Sequence, residues 1–153
     1  MENEKQIQNE NFENQLTSAA VGFLQESAKW SKFMAIIGFI GIGLMVLVSL
    51  FMAIGFSAIG ASTMPELPFS MSAFSIIYVL FAAIYFFPVY YLYQYATKTS
   101  AALHSKNKQQ LTDGLENLKS HHKFLGIFTL ILVSLYGFIF VFAILGGILS
   151  SFR

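Results

Sequence analysis

His121 and His122 have the strongest claim to chemistry in this chain, because Asp113, Glu116 and Asn117 precede them on the same polar stretch. Imidazoles near carboxylates can ligate a metal or relay a proton. The spacing supports neither role. Neighbouring helical residues point ~100° apart, and only residues three or four apart share a face. One turn from His122 stand Leu118 and Gly126, and one turn before His121 stands Asn117; no carboxylate occupies these positions. The pair is expected at a membrane interface, solvent-facing or helix-terminal, with a small gain from the dipole of a helix C-terminus. His104 stands alone and takes the same reading.

Other reactive groups are just as isolated. Ser49, Ser57, Ser72, Ser75, Thr129 and Ser134 have no basic partner nearby. Within apolar helices their hydroxyls bond the backbone one turn back or a neighbouring helix. Cysteine is absent, which removes thiolate nucleophiles, disulfides and cysteine-ligated metals. The run GFIGIG, Gly38 to Gly43, has a glycine rhythm but no phosphate-reading lysine after it. Walker A, HExxH and GxSxG patterns do not occur. No catalytic residue, metal site or cofactor is expected, and the chain does not read as an enzyme.

The elements that would position any site are apolar helices. Of 153 residues, 56% are hydrophobic and 11% charged, against about a quarter charged in an ordinary soluble domain. No Asp, Glu, Lys, Arg or His occurs from Phe33 to Pro65, from Leu67 to Thr97 or from Phe124 to Phe152. Each run exceeds the ~20 residues a helix needs to cross ~30 Å of hydrocarbon. The expected fold class is an all-α integral membrane protein with three transmembrane helices and two short cytoplasmic amphipathic helices. A signal peptide does not explain the first run, since the segment before it is long and mostly acidic.

Along the chain, residues 1–15 form a polar Asn, Gln and Glu-rich tail that reads as disordered. Residues 16–32 form an amphipathic lead-in, with Leu16, Ala20, Phe23, Leu24 and Ala28 recurring at helical spacing. Lys29, Trp30 and Lys32 form its headgroup-level collar. Span 1 covers 33–61, and Ala53, Ser57 and Ala61 give it a small residue every fourth position, suited to helix contact. The Pro-rich link 61–68 reads as a tight turn. Span 2 covers 69–95 and contains Pro88, which must interrupt one backbone hydrogen bond. Tyr90, Tyr91, Tyr93 and Tyr95 at its end, followed by Lys98, form an interfacial belt together with Trp30. The four tyrosines point several ways, so one or two are expected to pack on a neighbouring helix. The competing reading is a small polar cleft formed with the deeper Tyr78 and Tyr85.

Residues 98–123 form the second polar region. Asn107 offers an N-cap with Gln110 as capping-box partner. After it, Leu111, Leu115, Leu118 and Leu125 recur, with His122 in the remaining apolar slot, and Leu111, Leu115 and Leu118 make a contact face. Gly114 interrupts this pattern at ~1 kcal/mol against Ala unless close packing requires it. Span 3 covers 124–149, and Ala143, Gly147 and Ser151 repeat the small-every-four pattern near its end.

All nine Lys and Arg except Arg153 lie before span 1 or between spans 2 and 3. With three spans those regions share one side, and the positive excess marks it as cytoplasmic. The N-terminus is then inside and the C-terminus outside.

The segments LENLKSHHKFLGI (Leu115 to Ile127), AKWSKFMAIIGFIGIGLM and FFPVYYLY resemble an uncharacterised family of small membrane proteins of Bacteroidota, defined as a domain of unknown function. The likeness runs from Leu16 to Leu149. It implies a bacterial inner-membrane setting and this order of helices, and it brings no activity and no site residues.

A non-catalytic membrane interaction protein, either an accessory subunit or a self-associating scaffold, is the function these features favour. Its expected partners are membrane lipid and another membrane protein or itself, with no nucleic acid. The alternative is a homo-oligomeric channel or facilitator for a small solute, which the lack of a polar stripe along any span disfavours.

Overall fold

Helix is the regular structure throughout the described part of the computed structural model, which covers residues 16–59 and 71–151, with side chains at 16–55 and 75–148. The tail 1–15 and the link expected at 61–68 lie outside the described residues. Helix α1 is Ser18–Ile59, α2 is Met71–Ser105 and α3 is Lys108–Ser151. Their 42, 35 and 44 residues correspond to ~63, ~52 and ~66 Å at ~1.5 Å per residue. Each contains a segment long and apolar enough to cross a membrane. Each is also far longer than ~30 Å of hydrocarbon, so its polar end extends beyond the apolar part.

This corrects one expectation. The two amphipathic segments are not short separate helices. Residues 18–32 are the first turns of α1, and residues 108–123 are the first turns of α3. Neither Lys32-Phe33 nor Lys123-Phe124 carries a proline or a capping residue to stop the backbone ladder. A change from polar to apolar side chains alters what the helix faces without breaking its hydrogen bonds. Residues 98–105 continue the helix of span 2 to Ser105, as expected for Ala101, Ala102 and Leu103.

The helix ends have local causes. Thr17 Oγ1 accepts from the backbone N–H of Ala20 at 3.2 Å and caps α1. Between α2 and α3 the chain reverses in two residues. Lys106 takes a left-handed φ of 50°, and Asn107 N–H donates to the Ala102 carbonyl at 3.1 Å. That is the bond of a Schellman motif. Asn107 Oδ1 then accepts from Gln110 N–H at 3.1 Å, the expected N-cap of α3. The return half of the capping box is absent because Asn107 N–H already serves Ala102. Gln110 Oε1 instead accepts from Ser105 Oγ at 3.4 Å.

The chain divides into two units, residues 1–121 and 122–153. In the first, α1 and α2 run antiparallel, with Ser27 beside Tyr95 and Gly38 beside Val89. Among the α1 positions withdrawn from the surface, Leu24, Ala28, Ser31, Ala35, Gly38, Ile42, Met45 and Ser49 follow one another as a continuous stripe. Their spacing alternates four and three, the 3.5-residue repeat of a left-handed helix pair. Most are small, which lets two backbones approach where lipid provides no hydrophobic drive. Ser49, buried in this seam, satisfies its hydroxyl by donating to the Val46 carbonyl at 2.7 Å. Ala102 and Leu111 form a small buried core at the α2–α3 turn, with Leu16 and Leu103 against it.

The second unit is the remainder of α3. Phe124 and Phe128 stack with ring centres 6.5 Å apart. Residues 133–146 are exposed at every position.

Candidate functional site

The polar ends of all three helices meet in the first unit, and its side-chain hydrogen bonds between helices are concentrated there. Tyr95 is 1% exposed, and its hydroxyl lies 3.1 Å from Ser27 Oγ. A buried phenol needs such a partner. Tyr95 is thus withdrawn from the interfacial belt and is one of the tyrosines that pack on a neighbouring helix. Tyr90 is exposed, and its hydroxyl accepts from Gln94 Nε2 at 2.7 Å. Tyr91 and Tyr93 are half-buried, and Trp30 is 58% exposed with its ring edge-on to Phe33.

Proline and histidine are linked in a way the sequence did not suggest. His121 Nδ1 lies 2.7 Å from the carbonyl oxygen of Pro88. A carbonyl only accepts, so Nδ1 carries the hydrogen. Pro88 is fully buried, and His121 is half-buried at one turn of α3. His121 is therefore neither solvent-facing nor helix-terminal, because α3 continues far beyond it. His122 is the exposed member of the pair.

The inward face of α3 also differs from the leucine pattern. Leu111 and Gly114 are buried, Leu118 and His121 half-buried, and Leu115 is 42% exposed. The seam thus passes over Gly114 in place of Leu115 and over His121 in place of His122. Close approach to α2 explains the first substitution: a Cβ on Gly114 would collide with Thr99. A leucine pattern weighs side chains by hydrophobicity, whereas this contact selects the smallest.

The small residues expected at helix contacts lie outside the α1–α2 seam wherever they are described. Ala53, Ala143 and Gly147 are exposed. Ser57 and Ser151 lie on helical backbone, but their side chains, and all of Ala61, are outside the described residues. The contact that does form uses Ala28, Ser31, Ala35 and Gly38, where a Cβ on Gly38 would stand 2.8 Å from Val89 Cγ2. The signal was present in the sequence as small residues three and four apart, and a search for every fourth position overlooks it.

Two surface grooves flank the α1–α2 pair. One, of about 660 Å³, is lined by Gln25, Glu26, Lys29, Trp30 and Lys32 of α1 and Ser100 of α2, among others. The other, of about 390 Å³, is lined only by Ile42, Val46, Val79, Ala82, Ala83, Phe86 and Phe87. Between them Phe39 packs on Phe86 and Tyr93, with ring centres 5.8 and 6.0 Å apart. Among the described residues no three His, Cys, Asp or Glu gather closely enough to hold a metal ion. No protein-family model, curated protein or solved structure matches the chain.

Proposed function

We propose that this is a non-catalytic interaction protein of a bacterial cytoplasmic membrane, acting as an accessory subunit or a self-associating scaffold. Its N-terminus and the α2–α3 turn lie on the cytoplasmic side, in keeping with the lysines gathered there. The observation that carries this reading is the exposure of residues 133–146 around the whole circumference of α3. In α1 and α2, by contrast, one stripe is withdrawn into a small-residue seam. A span with that surface can lie against a second membrane protein or a second copy.

The test is the mass of the complex released from native membranes in mild detergent, with every co-purifying chain identified. Stoichiometric foreign subunits mark an accessory protein, and a clean homo-oligomer marks self-association. A lone monomer overturns the proposal.

A further inference from the structure

The two grooves lie on the same flank of the helix pair. On α1, Lys32, Phe39 and Val46 follow one another at seven-residue intervals, and on α2 so do Phe86, Tyr93 and Ser100. Lys32 and Ser100 line the polar groove, Val46 and Phe86 line the apolar one, and Phe39 touches Phe86 and Tyr93 between them. Seven residues are two helical turns, so each triplet holds one side of its helix along the 3.5-residue seam. In an antiparallel pair these two sides form a single edge. The edge grades from charged, through aromatic with a tyrosine hydroxyl, to wholly apolar.

Its dimensions are those of one leaflet. Lys32 to Val46 spans ~21 Å at ~1.5 Å per residue, and half of a ~40–45 Å bilayer, headgroups included, is much the same. The polar groove carries two cations, Lys29 and Lys32, against one anion, Glu26, and adds Gln25 and Ser100 as neutral hydrogen-bonding groups. The geometry points to a binding site for one anionic phospholipid of the cytoplasmic leaflet. Its phosphate sits at Lys29 and Lys32, and an acyl chain runs past Phe39 into the groove at Val46, Ala83 and Phe86. The net positive charge of the polar groove selects a lipid of net negative charge over a zwitterionic one. The apolar groove, which no lysine lines, adds a requirement for the chain as well as the headgroup. The inference rests on the reading that α1 and α2 cross a bilayer.

Trp30 lines the polar groove and is the single tryptophan of the protein, so it reports on the site directly. The full-length protein is reconstituted in phosphatidylcholine nanodiscs. Trace phosphatidylglycerol or phosphatidylcholine, nitroxide-labelled on the acyl chain near the glycerol, is then titrated in and Trp30 quenching recorded. Labelled phosphatidylglycerol is expected to quench at a mole fraction at least ten-fold lower than labelled phosphatidylcholine. Each of Lys29→Gln and Lys32→Gln should reduce that preference by about five-fold. Glu26→Gln should increase it, and Ala83→Phe, which fills the apolar groove without altering charge, should reduce it. Lys119→Gln with Lys123→Gln, neither of which lines the groove, should leave it unchanged.

Equal quenching by the two lipids overturns the site while leaving the membrane reading intact, and absence of quenching by either overturns both. A loss as large from the Lys119 and Lys123 pair as from Lys29 and Lys32 reduces the effect to bulk surface charge and overturns the site. Weaker binding after Glu26→Gln would indicate that Glu26 holds a headgroup amine and overturn the anionic assignment. No change with Ala83→Phe overturns the acyl-chain part.

Discussion

Thr99 and Gly114 are packed so closely that a methyl group on the glycine would stand 2.6 Å from Thr99 Oγ1 and 3.2 Å from Thr99 N. Thr99 is fully buried, and its hydroxyl oxygen has no hydrogen-bond partner among the described residues. Gly114→Ala should therefore destabilise the protein by about 1–3 kcal/mol through overpacking, although alanine gains ~1 kcal/mol in helix propensity. Thr99→Ala in the same chain should recover part of the loss. Thermal unfolding of the detergent-solubilised protein, followed by circular dichroism, checks both signs.

Gly38 and Val89 make the equivalent approach between α1 and α2. A Cβ on Gly38 would lie 2.8 and 3.0 Å from the two Val89 γ-carbons. A β-branched side chain in a helix has one strongly preferred rotamer, so Val89 has little room to move aside. Gly38→Ala should cost about 1–3 kcal/mol, and Val89→Ala combined with it should cost less than the sum of the two changes. A double-mutant cycle on unfolding free energies reads the coupling.

These glycines show which parts of the molecule a sequence discloses. Charge-free runs locate the three spans because the requirement of a hydrocarbon core is compositional, and Asn107 discloses an N-cap because its chemistry is local. Contacts between helices are neither. Gly114 reads as a propensity defect until Thr99 stands opposite it, and Leu115 reads as core until the helix is rotated by that close approach. His121 and His122 are equivalent in a chain listing. Only the position of the Pro88 carbonyl, far away in sequence, separates them. Continuity of α1 through Lys32-Phe33 was obscured for a different reason. A sharp change in side-chain polarity resembles an element boundary, while the backbone there has nothing to end it.

The hydroxyl pair of buried Tyr95 and exposed Ser27 offers a gentler test of the α1–α2 contact. Tyr95→Phe and Ser27→Ala each remove one partner of the 3.1 Å contact. Hydrogen bonds between membrane helices average ~0.6 kcal/mol by double-mutant cycle, with ~1.7 as the upper end. Each single change should fall in that range, and the double change should add little beyond either one. Tyr95→Ala also removes a buried ring and should cost about 3–5 kcal/mol. Additive losses for Tyr95→Phe and Ser27→Ala would show that the two hydroxyls do not interact.

The α2–α3 turn gives opposite signs at adjacent residues. Lys106 has a φ of 50°, a conformation that costs a non-glycine residue ~1–2 kcal/mol and glycine almost nothing. Lys106→Gly should therefore stabilise the hairpin, less a fraction for the greater freedom of glycine in the unfolded chain. At the next residue, Asn107→Ala removes the side-chain oxygen that accepts from Gln110 N–H and should cost about 0.5–2 kcal/mol. Asn107→Asp keeps that oxygen and should be close to neutral. Amide hydrogen exchange in the first turn of α3 localises the effect: protection at Gln110 should fall in Asn107→Ala and rise in Lys106→Gly. A loss of protection in Lys106→Gly would mean that the lysine side chain contributes more to the turn than its backbone conformation costs.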